Sequence, residues 1–116
     1  MTTNSSIRFN AGHVVEAVFP FAEGEGSKPR PVLVVTDSDA NGDFVVVAIT
    51  GAAHHKNSVP LVNTDLAQGR LNKPSHVRAD KIFSMNAKAV TQTFGVVKPN
   101  ILGKVKSLIC PAVGCK

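Results

Sequence analysis

The sequence predicts a mainly β fold, a small barrel or curled sheet capped by one C-terminal helix. Three observations predict it. Short β-branched runs, such as Val32-Leu-Val-Val35 and Phe44-Val-Val-Val-Ala-Ile49, recur between turn-forming residues. Only one stretch, Pro99–Cys110, carries a helical period. Finally, 116 residues with 43% apolar content suffice for one real core and leave no room for a second domain.

The chain is read as one domain over 1–116, with residues 1–10 as a polar lead. That lead lacks the basic start, apolar stretch and small-residue cleavage site of a secretory signal, so a cytoplasmic location is expected. The apolar runs fall far short of the roughly 18 residues that a membrane span needs.

From Gly12 to Phe21 apolar residues crowd around Glu16, and Pro20, which cannot donate to a ladder, ends the first strand. Residues 22–29, with two glycines, a proline and three charges, form a loop of a length that suits binding groups. The runs at 32–36 and 44–50 are expected to pair in the middle of a sheet. Asp37–Asp43 turns between them and ends in an Asn-Gly hairpin signal. After a second loop at 51–58 comes a short strand, Val59–Val62, which Pro60 assigns to a sheet edge. Asn63–Pro74 reads as a loop with a turn of helix at Thr64–Gln68, and His76–Phe83 alternates as a half-exposed strand. Lys88–Val97 supplies one more. In Pro99–Cys110, Ile101, Leu102, Val105, Leu108 and Ile109 share one helical face, and Pro99 is admissible in the first turn.

Charge is unevenly distributed. Residues 1–50 hold three Lys or Arg against six Asp or Glu, a net −3. Residues 51–116 hold ten Lys or Arg against Asp65 and Asp80, a net +8 within a total of +5. If those cations share a face they attract a polyanion. Cys110 and Cys115 read as free thiols. His13, His76 and the adjacent His54-His55 show no zinc-site spacing, so no metal and no cofactor is expected.

Four segments follow one another in a diagnostic order. They are Gly12-His-Val-Val-Glu-Ala-Val-Phe-Pro-Phe21, Lys28-Pro-Arg-Pro-Val-Leu-Val-Val35, Val45-Val-Val-Ala-Ile-Thr50 and Pro74-Ser-His-Val-Arg-Ala-Asp-Lys-Ile-Phe83. With Phe94-Gly95 and the amphipathic helix behind them, they resemble the MazF/PemK/Kid family of toxin–antitoxin toxins over roughly residues 11–110. The resemblance implies an SH3-like β-barrel with a terminal helix. It also implies a metal-independent endoribonuclease acting on single-stranded RNA, a homodimer, and an acidic antitoxin partner.

By the same resemblance Arg30 and Thr50 act at the scissile phosphate, Asp80 accepts a proton, and Arg78 donates to the phosphate or serves as acid. The residue chemistry agrees. Metal-free RNA cleavage needs a group to take the 2′-hydroxyl proton, a proton for the departing 5′-oxygen, and donors at the phosphate as charge builds. Arg30 offers a planar fork of donors and Thr50 a hydroxyl at the neighbouring strand end. By position, Lys28, Glu25, His54, His55 and Lys81 are the RNA-binding candidates. Arg78 and Asp80 also read as a structural i,i+2 ion pair. Two departures stand out. The first loop holds Glu23, Gly24 and Glu25 where Kid-type members carry a His, and Phe83-Ser84 replaces Arg-Thr.

Two other functions compete. Gyrase-poisoning toxins share the barrel, bind a protein and cleave nothing, although an Arg beside a hydroxyl favours the nuclease. An SH3-like peptide-binding module needs an aromatic-lined groove, and this chain has no Trp and no Tyr.

Overall fold

The computed structural model describes residues 8–18, 29–51 and 56–114. Within these residues seven strands precede one α-helix: β1 (His13–Val18), β2 (Pro29–Val34), β3 (Asp43–Thr50), β4 (Ser58–Leu61), β5 (Leu66–Gly69), β6 (Ser75–Asn86), β7 (Val90–Val97) and α1 (Pro99–Ala112). They form one sheet in the order β4-β6-β3-β2-β1-β7-β5, and every pair is antiparallel. The sheet curls into a half-barrel of the expected mainly β class, with the helix at its C-terminus.

The valine-rich runs bury both faces of the sheet, because alternate residues point to opposite sides. Leu33, Val35, Val47, Ile49 and Val77 form one layer with Ile101 and Val105 of α1. Val15, Ala17, Val32, Val34, Phe44 and Val46 form the second layer with Phe9, and Phe83, Met85 and Val90 pack against it. Phe9 and Phe44 meet with ring centroids 5.5 Å apart.

The β2–β3 turn is built as its residues suggest. Gly42 takes φ +85°, a left-handed conformation that suits glycine. The Asp39 carboxylate accepts from the backbone N–H groups of Asn41 and Asp43, each at 2.9 Å. Those bonds hold its pKa below the usual carboxylate value.

Pro60 does sit in an edge strand, since β4 is outermost. The 63–74 region differs from expectation. A 3-10 turn covers only Asn63–Asp65, and Leu66–Gly69 is a strand paired with β7. It lacks β-branched residues, so local propensity hides it; the pairing depends on backbone approach. A Cβ at Gly69 or Gly95 would collide with the other strand's backbone.

β6 is longer than its alternating pattern indicated, and a bulge interrupts it. Arg78 pairs with Ala48 and Ile82 with Val47, so residues 79–81 have no counterpart on β3. Cys110 also departs from expectation, because it is disulfide-bonded rather than a free thiol. The helix ends two residues beyond it and Gly114, at φ +89°, redirects the chain there. Cys115 lies outside the described residues.

Candidate functional site

The polar side chains of interest gather at one end of the sheet face opposite α1. Register decides this. β2 and β3 pair as Val34 with Val46, Leu33 with Val47 and Val32 with Ala48. Two residues beyond that paired segment, Arg30 shares the face of Val32 and Thr50 that of Ala48. On the other side of β3, Thr50 pairs with His76 and Ala48 with Arg78.

Alternation then sets the face. Leu33, Val47, Ile49, Val77 and Ala79 belong to the helix-covered layer, so Arg30, Thr50, His76 and Arg78 point the other way. Directly opposed residues have Cβ atoms about 4.5–5.5 Å apart and diagonal ones about 7–8 Å. Thr50 and His76 are therefore direct neighbours with Arg78 diagonal to Thr50, and Arg30 completes a row on the same face at the start of β2.

Arg30 is exposed at the start of β2, while Val32 and Val34 on the same face are fully buried. Its backbone is thus anchored and its guanidinium reaches solvent. Thr50 is half-buried at the end of β3.

Arg78 and Asp80 form a fork. Arg78 Nε donates to Asp80 Oδ1 at 3.1 Å and Nη2 to Oδ2 at 2.6 Å. Their side chains are only 20% and 30% exposed, so the pair is partly shielded. The guanidinium holds the Asp80 carboxyl below its usual range, with a smaller contribution from Lys81. Both Asp80 and Lys81 lie in the β6 bulge, a feature that often re-aims side chains beside active sites.

One further residue joins the site that sequence patterning did not select. His76 is half-buried, and its Nδ1 is buried without a hydrogen-bond partner. The signal was present: His76 stands two residues before Arg78 on an alternating strand, so it shares Arg78's face. Lys73 lies near the same strand end but on the other face, the side of Ile49 and Leu33. Its ammonium lies 3.5 Å from the position a Cβ would take on Gly51, the residue after Thr50. It also borders a cleft of about 190 Å³ lined in part by Glu16, Pro31, Asn72 and Phe94. Glu16 is held there by Thr91 Oγ1 at 2.7 Å and Gln92 Nε2 at 3.1 Å.

Of the remaining candidates, Glu25, Lys28, His54 and His55 lie outside the described residues. Among the described residues, no three His, Cys, Asp or Glu side chains are grouped so as to hold a metal ion. Nor, among them, is any helix long and apolar enough to cross a membrane.

A mycobacterial endoribonuclease solved with its cognate antitoxin is similar in fold, with a TM-score of 0.71 at 21% identity, covering 93% of this chain and 97% of that one. The Mycobacterium tuberculosis toxin MazF-mt6 superposes with a TM-score of 0.69 at 20% identity, covering 90% and 98%. MazF in a MazE–MazF complex from Deinococcus radiodurans gives 0.69 at 18%, covering 96% and 100%. No curated protein sequence matches. The family model for PemK-like, MazF-like toxins of type II toxin–antitoxin systems matches residues 10–113. That match takes in both sheet layers, the Arg30–Thr50–His76 row and α1, and the chain belongs to this toxin family.

Proposed function

We propose that this toxin is a metal-independent endoribonuclease that cuts single-stranded RNA to 2′,3′-cyclic phosphate and 5′-hydroxyl ends. The observation that supports the reading is an exposed Arg30 on the same sheet face as Thr50 and Arg78, at one end of that face. Arg30 binds the scissile phosphate with its planar fork, and the Thr50 hydroxyl bonds the same group. As the 2′-oxygen attacks, charge builds on the phosphoryl oxygens and these preorganised donors stabilise it. Arg78 supplies a second guanidinium. Asp80, which the family resemblance makes a proton acceptor, is assigned instead to holding Arg78, because a carboxylate already accepting two guanidinium bonds is a weakened base.

The cationic half of the chain binds the RNA backbone, with Lys81 beside the row and Lys28, Glu25, His54 and His55 as further contacts. An acidic antitoxin segment binds across this surface and competes with RNA, so its affinity falls with added salt. The chain is one toxin domain, working in the cytoplasm as a homodimer whose two-fold axis joins two such surfaces. Sedimentation checks the dimer, and a monomer at micromolar concentration counts against it.

The deciding experiment is cleavage of a long single-stranded transcript in the presence of a chelator. Cleavage with cyclic-phosphate ends is expected for the parent, with DNA left intact. Arg30→Ala should lower the rate by about two to three orders of magnitude, the scale for one lost transition-state donor. Full activity in that variant rejects the site. Cleavage only on adding magnesium rejects the mechanism, and no cleavage at all leaves a non-enzymatic toxin that binds a protein target.

A further inference from the structure

Attack by a 2′-oxygen requires a group that takes up a proton near neutrality. Arginine and threonine side chains do not do so readily. Asp80 is occupied by Arg78. Of the two histidines among the described residues, His13 has its Nδ1 2.9 Å from both the backbone N and O of Asn10, and it sits opposite Val96, away from the row. His76 is different. It lies between Thr50 of β3 and Pro60 of β4, on the face that carries Arg30 and Arg78. Its Nδ1 is buried and bonded to nothing. Folded proteins rarely leave such an atom unsatisfied, and functional sites are among the places where they do. With no bond on Nδ1, no partner fixes the tautomer, so the buried Nδ1 can carry the proton and leave Nε2 with the lone pair that a base needs.

We propose that His76 is the general base of this site, an inference that rests on the nuclease reading above. The imidazole takes the 2′-hydroxyl proton as the 2′-oxygen bonds to phosphorus. The bond from phosphorus to the 5′-oxygen breaks, the departing oxygen takes a proton from solvent, and the imidazolium returns its own to solvent. Arg30, Thr50 and Arg78 hold the phosphate meanwhile. The described groups facing His76 are Thr50 from β3, Ser58 and Pro60 from β4, Arg30 from β2 beyond Thr50, and Arg78 and Asp80 along β6. Lys73 stands at the nearby strand end.

The test is single-turnover cleavage of an in vitro transcribed single-stranded RNA of several hundred nucleotides, from pH 5 to 9. Parent, Arg30→Ala, His76→Gln and His76→Ala proteins are compared. The parent rate should rise with pH across the range where histidines lose their proton. His76→Gln should be slower by about 10²–10⁴-fold, the usual span for a general base, and should lose that rise. Its affinity for a 2′-O-methyl copy of the cleavage site should match the parent's, and added imidazole should restore part of the His76→Ala rate.

In the parent, binding of that uncleavable copy should shift the His76 ring nitrogen resonances, a readout that needs no variant to fold. A His76→Gln protein with the parent's rate and pH profile overturns the role of His76 alone, provided Arg30→Ala is inactive. Unshifted ring resonances on binding do the same. A parent that cleaves nothing overturns the nuclease reading and His76's role together.

Discussion

The two ends of the sheet face opposite α1 are made from the same strands and do different things. At one end β2, β3 and β6 contribute Val32, Val34, Phe44, Val46, Phe83 and Met85, which pack into an apolar layer. At the other they contribute Arg30, Thr50, His76 and Arg78. The β6 bulge at 79–81 separates the halves of that strand. It allows one face to change from apolar to cationic within a few residues. The contrast shows how a polar site is held: the backbone of each reactive residue continues into a buried strand, so precision at one end is supplied by packing at the other.

Substitutions at the two ends should therefore separate stability from chemistry. The largest effect on stability is expected from Phe44→Ala, which empties space beside Phe9 and Val46 and should cost about 3–5 kcal/mol. Denaturant unfolding measures this; a loss below about 1 kcal/mol would show that the apolar end does not support the sheet. Arg30→Ala should leave the unfolding midpoint nearly unchanged while lowering cleavage as stated above.

Gly95→Ala tests the opposite flank of the sheet. A methyl there meets the Gln68 and Gly69 backbone of β5, and about 1–3 kcal/mol of stability should be lost, the usual range for overpacking. Because β5 is distant in register from the Arg30 row, kcat for the folded fraction should not change. A selective fall in kcat would link β5 to the site.

Asp80→Asn has a smaller expected effect and discriminates between roles. As the partly shielded partner of Arg78, Asp80 should contribute less than about 1 kcal/mol. Its folded pKa is lowered, so its contribution is present above the ordinary carboxylate pKa and is lost as pH falls through the lowered value. Asp80→Asn should flatten that acid limb in thermal melts between about pH 5 and 2, and should slow cleavage only severalfold if Asp80 does no more than hold Arg78. A loss as large as that of His76→Gln would return proton transfer to Asp80. Asp39→Asn should show the smallest change, of the same sign, since its carboxyl is also held low by the turn's backbone N–H groups.

Much of this was legible in the chain itself. β-branched runs between turn residues marked β2 and β3, Pro60 marked an edge, the Asn41-Gly42 pair marked the hairpin, and the spacing from Ile101 to Ile109 marked α1. Each is a local property, decided by neighbours a few residues away. That Arg30 and Thr50 share a face was legible because one hairpin joins their strands, and alternation from its turn sets their side.

What local pattern could not supply was pairing across long separations. β5 has weak strand propensity and exists because two glycines let it approach β7. His76 looked like an isolated histidine until β6 paired with β3, 26 residues away in sequence, and set it opposite Thr50. Lys73 reached Gly51 in the same way. The sequence by itself determined which segments become strands and which residues are equipped for phosphate chemistry, because propensity, alternation and side-chain type are written locally. Only the tertiary structure decided which of them meet, because strand register is set by how the whole sheet buries its two apolar layers.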